Sequence, residues 1–154
     1  MRHLLFMPIV QRLTNQIVKD ISVVGSLPFL VFFSILLISI QQYVQGYLLI
    51  IGLFVLFIFI APIRFFFFRQ RPQAIAYDSW IERIDSSSFP SMHAARVGFL
   101  LVVFDFAILF WIVSVLVCLS RYYLHKHYIS DLVVGFVLGI LIAIGVVFLF
   151  DFMI

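Results

Sequence analysis

Long apolar runs alternate along this chain with short polar stretches, and the lengths of the runs carry the first inference. Residues 1–20 set Leu4, Leu5, Phe6, Ile9, Val10, Leu13, Ile17 and Val18 among Arg2, Gln11, Arg12, Asn15, Gln16 and Lys19. The apolar positions recur at helical spacing, which predicts an amphipathic helix that lies in a membrane interface or packs as a weak first span. Ile21 to Ile40 has the ~20-residue length of a span, and Pro28 within it can kink that helix. Gln41 to Gly46 is a polar turn, and Tyr47 to Ile63 forms the next span. Residues 94–119 are apolar apart from Arg96, Asp105 and Ser114, and Leu132 to Phe150 forms the final span. There Gly135 and Gly139 stand four apart, a small-xxx-small spacing that lets helices approach closely.

Composition agrees with the pattern. Hydrophobic residues make up 65% of the chain and charged ones 11%, against roughly 25% charged in a soluble domain. The sequence therefore predicts an all-α integral membrane bundle of five to six helices, with residues 1–154 forming one domain. In it residues 1–20 are the amphipathic element and residues 21–154 the bundle. A net charge of +3, concentrated in a few loops, argues against nucleic acid as a partner. Basic side chains at a membrane face suit phosphate headgroups and anionic lipid instead.

The polar residues fall into clusters. Residues 64–93 form the one long polar connection, with Arg64, Arg69, Arg71, Asp78, Glu82, Arg83, Asp85, Ser86-Ser87-Ser88 and then Pro90-Ser91-Met92-His93. Connections of this length are usually functional or disordered. Arg64 and Arg71 lie seven apart, so a continued helix would put them on one face until Pro72 ends it. Pro90 favours a turn, which would set Ser91, Met92 and His93 at a helix N-terminus, a ready place for a phosphate. The last cluster runs from Ser120-Arg121 through His125, Lys126 and His127 to Asp131, an island between apolar runs. On one reading, His127 and Asp131 share a helical face, the carboxylate holds one imidazole nitrogen, and the other nitrogen is free to attack, with Arg121 binding an oxyanion. On the other, the Arg, Lys, His and Tyr side chains are a headgroup-level anchor. Arg69, Arg83 and Arg96 read as solvated or lipid-facing charges, with Asp78, Glu82 and Asp85 balancing the basic loop.

In order and spacing, these clusters resemble the signature of the type 2 phosphatidic acid phosphatase superfamily of membrane lipid phosphatases. Its pattern is Lys-x6-Arg-Pro, then Pro-Ser-Gly-His, then Ser-Arg-x5-His-x3-Asp. This chain carries Arg64-x6-Arg71-Pro72, Pro90-Ser91-Met92-His93 and Ser120-Arg121-x5-His127-x3-Asp131. Arg64 stands in place of Lys, keeping the cation, and Met92 in place of Gly, keeping the amide and adding bulk.

The resemblance implies catalytic roles for His127, His93 and Asp131: nucleophile, acid for the leaving oxygen, and carboxylate orienting the nucleophile. It implies a phosphate cradle of Arg64, Arg71, Ser91 and Arg121, and no metal or other cofactor. Guanidinium forks would then neutralise the charge on the equatorial oxygens. The implied substrate is a lipid phosphate or diphosphate among membrane lipids. A small bundle with short loops suits an isoprenyl diphosphate (undecaprenyl or dolichyl type) or a phosphatidate-type lipid. Lipid phosphotransfer, or non-catalytic binding or transport of anionic lipid, are the alternatives.

Geometry makes a demand. The site needs its second and third motifs at one membrane face, yet only 26 residues, Ala94 to Leu119, separate them. Two helices of about 12 residues reach roughly 18 Å each, short of a ~30 Å core. A single tilted span fits the length better but puts His93 and His127 on opposite sides. A short hairpin turning near Asp105 is expected, because a carboxylate is cheaper at a turn than in mid-bilayer. Loops opposite the site then carry no Lys or Arg, which by the positive-inside rule places the site in the cytoplasm. Resemblance to enzymes acting on lipid carriers points outward, and outward is the orientation expected.

Overall fold

The structure, a computed structural model, describes residues 2–73 and 78–153, with side chains for 10–73 and 78–152. Among the described residues it is all-helical: α1 (Arg2–Val23), α2 (Leu27–Ser39), α3 (Tyr43–Phe66), α4 (Trp80–Ser86), α5 (Met92–Val103), α6 (Ile108–Tyr123) and α7 (Ile129–Met153). That is more than the five or six expected, because the polar connection holds a short helix, α4, of its own.

The N-terminal boundary differs from the hydropathy reading. No single span covers Ile21 to Ile40: α1 runs on to Val23, the chain breaks, and α2 leaves at 53° to it. The break has a local cause. The Ser26 side chain accepts a hydrogen bond from Phe29 N and caps α2, while Pro28 sits in the first turn, where a missing N–H costs nothing. Pro28 thus starts a helix and does not kink one. Helix α3 stops at Phe66, so Arg71 lies in the connection and does not share a helical face with Arg64.

Helices α3 and α7 are long and apolar enough to cross a membrane, and the bent α1–α2 pair would add a third span. Their outward faces carry bare apolar side chains, such as Phe54 and Phe59 on α3 and Phe148 on α7. Such a surface suits lipid.

Helix α5 is different. Ala94, Ala95, Val97, Gly98, Phe99, Leu100, Leu101 and Val103 are all buried in its 12 residues, so neighbours cover it on every side. A helix wrapped in protein need not match the bilayer thickness, which answers the length problem. The chain then reverses through Asp105 (φ 50°) and Phe106 (φ 56°), consecutive left-handed residues reached without glycine. The expected hairpin near Asp105 is present, and α6 returns to the starting face.

Close approach of α5 and α7 needs glycine. A Cβ on Gly139 would lie 2.0 Å from the Ala95 carbonyl oxygen, and one on Gly135 would lie 2.4 Å from that of Ser91. The backbones touch where these residues have no side chain. This contact brings the start of α5 against the start of α7, and with them the last two polar clusters.

Candidate active site

The C-terminal ends of α3 and α6 and the leading ends of α5 and α7 meet at one end of the bundle, roofed by α4. Between them is a cavity of about 690 Å³ lined by Arg64, Arg71, Asp85, Met92, His93, Arg96, Arg121 and His127. Its remaining wall is apolar: Leu27 of α2, Phe57 and Ala61 of α3, and Trp80, Ile81 and Ile84 of α4. Five of the residues singled out in the sequence therefore share one space. Ser91 and Asp131 stand behind it, fully buried and outside its lining.

Backbone carbonyls hold Arg64 and Arg71, and a serine side chain holds Arg121. Arg64, buried near the end of α3, donates from Nε to the Pro90 carbonyl (3.0 Å) and from Nη1 to that of Ile84 (3.2 Å). It thereby ties α3 to α4 and to the end of the loop that follows α4. Arg71 donates to the Asp85 carbonyl, and Arg121 donates to Ser22 Oγ at 2.9 Å. The Nε groups of Arg71 and Arg121 are buried without any partner. Buried N–H donors are seldom left unmatched. Here they belong to residues lining one cavity, so an anion bound there would complete them.

Ser91 caps α5: its side chain accepts from Ala94 N, and its own amide donates to the Asp131 carbonyl at 3.0 Å. His93 follows in the first turn of α5, its ring against the α1–α2 break, where a Cβ on Gly25 would lie 3.0 Å from it. Arg96, one turn on, donates to the Gly25 carbonyl at 3.3 Å. Arg96 is therefore part of the cavity wall and not a lipid-facing charge.

His127 precedes α7 and does not lie within it. His125, at φ 52°, supplies the left-handed residue that ends α6, and the chain crosses to α7 in a short loop. The His127 ring is buried, with Nδ1 2.7 Å from the Ser88 carbonyl and 3.9 Å from Asp131 Oδ2. A carbonyl only accepts, so Nδ1 carries the proton and Nε2 is left with a free lone pair. Burial first, and then the Arg121 charge, push His127 down to about 3, against the Ser88 bond, which raises it. Its imidazole is neutral at ordinary pH.

Asp131 is committed elsewhere. Its Oδ1 accepts from Arg69 Nη1 at 2.8 Å, and its Oδ2 accepts from the Tyr128 amide at 2.9 Å. The partner holding the His127 ring is thus a backbone carbonyl, and the carboxylate at i+4 stands further off. In the sequence Arg69 reads as a solvated or lipid-facing charge and Ser88 as one of a serine run, yet both act here. The Ser86-Ser87-Ser88 run and the basic loop were visible, but no residue type encodes the use of a main-chain oxygen 39 positions away. Among the described residues no group of three or more His, Cys, Asp or Glu side chains could hold a metal ion.

Comparison with known proteins follows the same lines. The family model for the PAP2 superfamily matches residues 43–152. One solved structure is similar, described as the crystal structure of the first transmembrane PAP2 type phosphatidylglycerolphosphate phosphatase from Bacillus subtilis. It aligns with a TM-score of 0.72 at 23% identity, over 92% of this chain and 78% of that one. At that identity the likeness is one of fold. No curated protein matches by sequence.

Proposed function

The chain belongs to the PAP2 superfamily and is a membrane phosphatase, and from that premise we propose how it acts and on what. It removes phosphate from a lipid phosphate or diphosphate through a phosphohistidine at His127, without a metal. The observation that carries this reading is the single cavity in which both histidines and the guanidinium groups face an apolar wall. A lipid phosphate has both halves of that chemistry.

In the proposed sequence His93 enters as the imidazolium, protonated together with the bound anionic substrate; Nε2 of His127 attacks phosphorus in line with the leaving oxygen, and the bond to that oxygen breaks as His93 gives it that proton. His93 then takes a proton from water, which attacks the phosphohistidine and releases inorganic phosphate and the free imidazole. Arg64, Arg71 and Arg121 neutralise the equatorial oxygens, and positioned donors of this kind carry most of the catalysis in phosphoryl transfer. Ser91 serves the cradle as the cap fixing the turn that carries His93. Asp131 steadies the loop bearing His127. Leu27, Phe57, Ala61 and Ile84 receive the start of the lipid chain.

The substrate is an isoprenyl diphosphate or a phosphatidate-type lipid. Phosphatidylglycerolphosphate, named for the protein of similar fold, belongs in the same test. We further propose that the site faces outward. The experiment is phosphate release by purified protein in detergent with EDTA, across a panel of these lipids. Release from one of them in EDTA is expected, with KM lowest for the true class. A metal requirement would overturn the mechanism. Headgroup binding without turnover would favour a binding or transport role, and transfer to an added alcohol in place of water would favour phosphotransfer.

A further inference from the structure

We propose that Arg69 is a positioning residue that sets the orientation of His127 without touching substrate, an inference that rests on the phosphohistidine reading. Arg69 lies outside the lining of the cavity, so any effect on the reaction must pass through its neighbours. It reaches His127 from two directions. Its side chain donates from Nη1 to Ser130 Oγ at 2.7 Å and to Asp131 Oδ1 at 2.8 Å, and its guanidinium stacks 4.0 Å from the centre of the Tyr128 ring. Ser130, Asp131 and Tyr128 are the residues that carry the chain from His127 into α7. Its backbone holds the other side. The Arg69 amide donates to Ser87 Oγ at 3.4 Å, and its carbonyl accepts from Ser88 N at 2.8 Å. The Ser88 carbonyl is in turn the acceptor for His127 Nδ1 at 2.7 Å.

This explains why the ring points to a carbonyl when a carboxylate is close by. Asp131 is fully buried and 3.9 Å from Nδ1, and a charged acceptor normally outcompetes a neutral one for a donor. Arg69 takes one carboxylate oxygen and the Tyr128 amide takes the other, so Asp131 has less pull on the imidazole. Without the guanidinium, Ser130, Asp131 and Tyr128 lose the anchor that fixes the loop, and Nε2 shifts off the line of attack. Misplacement of a reacting atom by about 1 Å can cost on the order of 10²-fold.

The test is made on the full-length protein in detergent. Arg69→Gln is expected to lower kcat by roughly 10²-fold with KM within about threefold of the parent, since no ground-state contact with substrate is lost. Arg69→Lys, which keeps the charge but cannot fork, should fall between. Added guanidinium ion should restore part of kcat to Arg69→Ala, a response that a folding defect would not give. Combined with Asp131→Asn, Arg69→Gln should cost no more than the worse single change. Nitrogen-15 NMR of the imidazole reads the hydrogen bond of His127 directly, and its Nδ1 signal should move in Arg69→Gln. A kcat within about twofold of the parent, a loss carried by KM, or losses that multiply with Asp131→Asn would each overturn the proposal. If the parent protein releases no phosphate, the phosphohistidine reading fails, and an unmoved Nδ1 signal would still separately refute the role of Arg69.

Discussion

The two histidines that share the cavity are held in opposite ways. His127 sits in a loop, yet its ring is pinned: Nδ1 is bonded to Ser88, and the residues after it are clasped by Asp131 and Arg69. His93 sits on a helix at the centre of the bundle, yet among the described residues its ring nitrogens make no hydrogen bond. The contrast suits the proposed division of labour. A nucleophile must present one lone pair along one line, so its ring benefits from being fixed. A group that protonates a leaving oxygen and later deprotonates water has to meet two partners in two places, and a fixed bond at either nitrogen would hinder it.

That contrast can be broken or sharpened by experiment. The largest effect is expected at His127. His127→Gln keeps a polar side chain and removes the proposed nucleophile, so phosphate release should fall by about three orders of magnitude or more, with no covalent phosphoenzyme. His93→Ala should cost roughly 10²–10⁴-fold with lipid substrates. It should cost less with an aryl phosphate, whose leaving group needs no acid, and phosphoenzyme should then accumulate because water lacks its base. Acid quench of labelled enzyme distinguishes the two variants.

A third change separates the histidines without touching either. Gly139→Ala puts a methyl 2.0 Å from the Ala95 carbonyl and forces α7 off α5, whereas a Cβ on Gly145 meets nothing within 4 Å. Thermal unfolding in detergent should report a loss of about 1–3 kcal/mol for Gly139→Ala. Gly145→Ala should stay within about 0.5 kcal/mol of the parent.

The last perturbation is acidification. His127 is pushed down to about 3 in the folded protein, while an unfolded chain would bind a proton near the usual ~6.5. Between those values the unfolded state holds more protons, so stability should decline as pH falls from about 6.5 toward 3 and be unaffected above that window. His127→Gln should lessen the decline without abolishing it, because burial and the Arg121 charge also hold His93 neutral in the same cavity.

Much of the candidate site was legible in the linear chain because its clusters resemble a known signature in order and spacing. Arg64, Arg71, His93, Arg121 and His127 could be named before any fold was known, and all line one cavity. The turn at Asp105 was legible too, since a lone carboxylate in a long apolar stretch is expensive anywhere but at a turn. The break after Val23 was not read, although Ser26 and Pro28 carry a helix-start signal, because an apolar stretch of span length from Ile21 onward points to one continuous helix. Arg96 and Arg69 read in the sequence as solvated or lipid-facing charges because neither belongs to a motif spacing.

What the sequence alone determined, then, is the helical membrane character of the chain and the identity of its charged and imidazole groups, since both follow from hydropathy and side-chain chemistry. Only the tertiary structure decided which acceptor holds the His127 ring and which cation Asp131 serves. The Ser88 carbonyl and the Arg69–Asp131 contact join positions 39 and 62 apart. A main-chain oxygen is the same in every residue, so its use is written nowhere in the sequence and emerges only when the chain is packed.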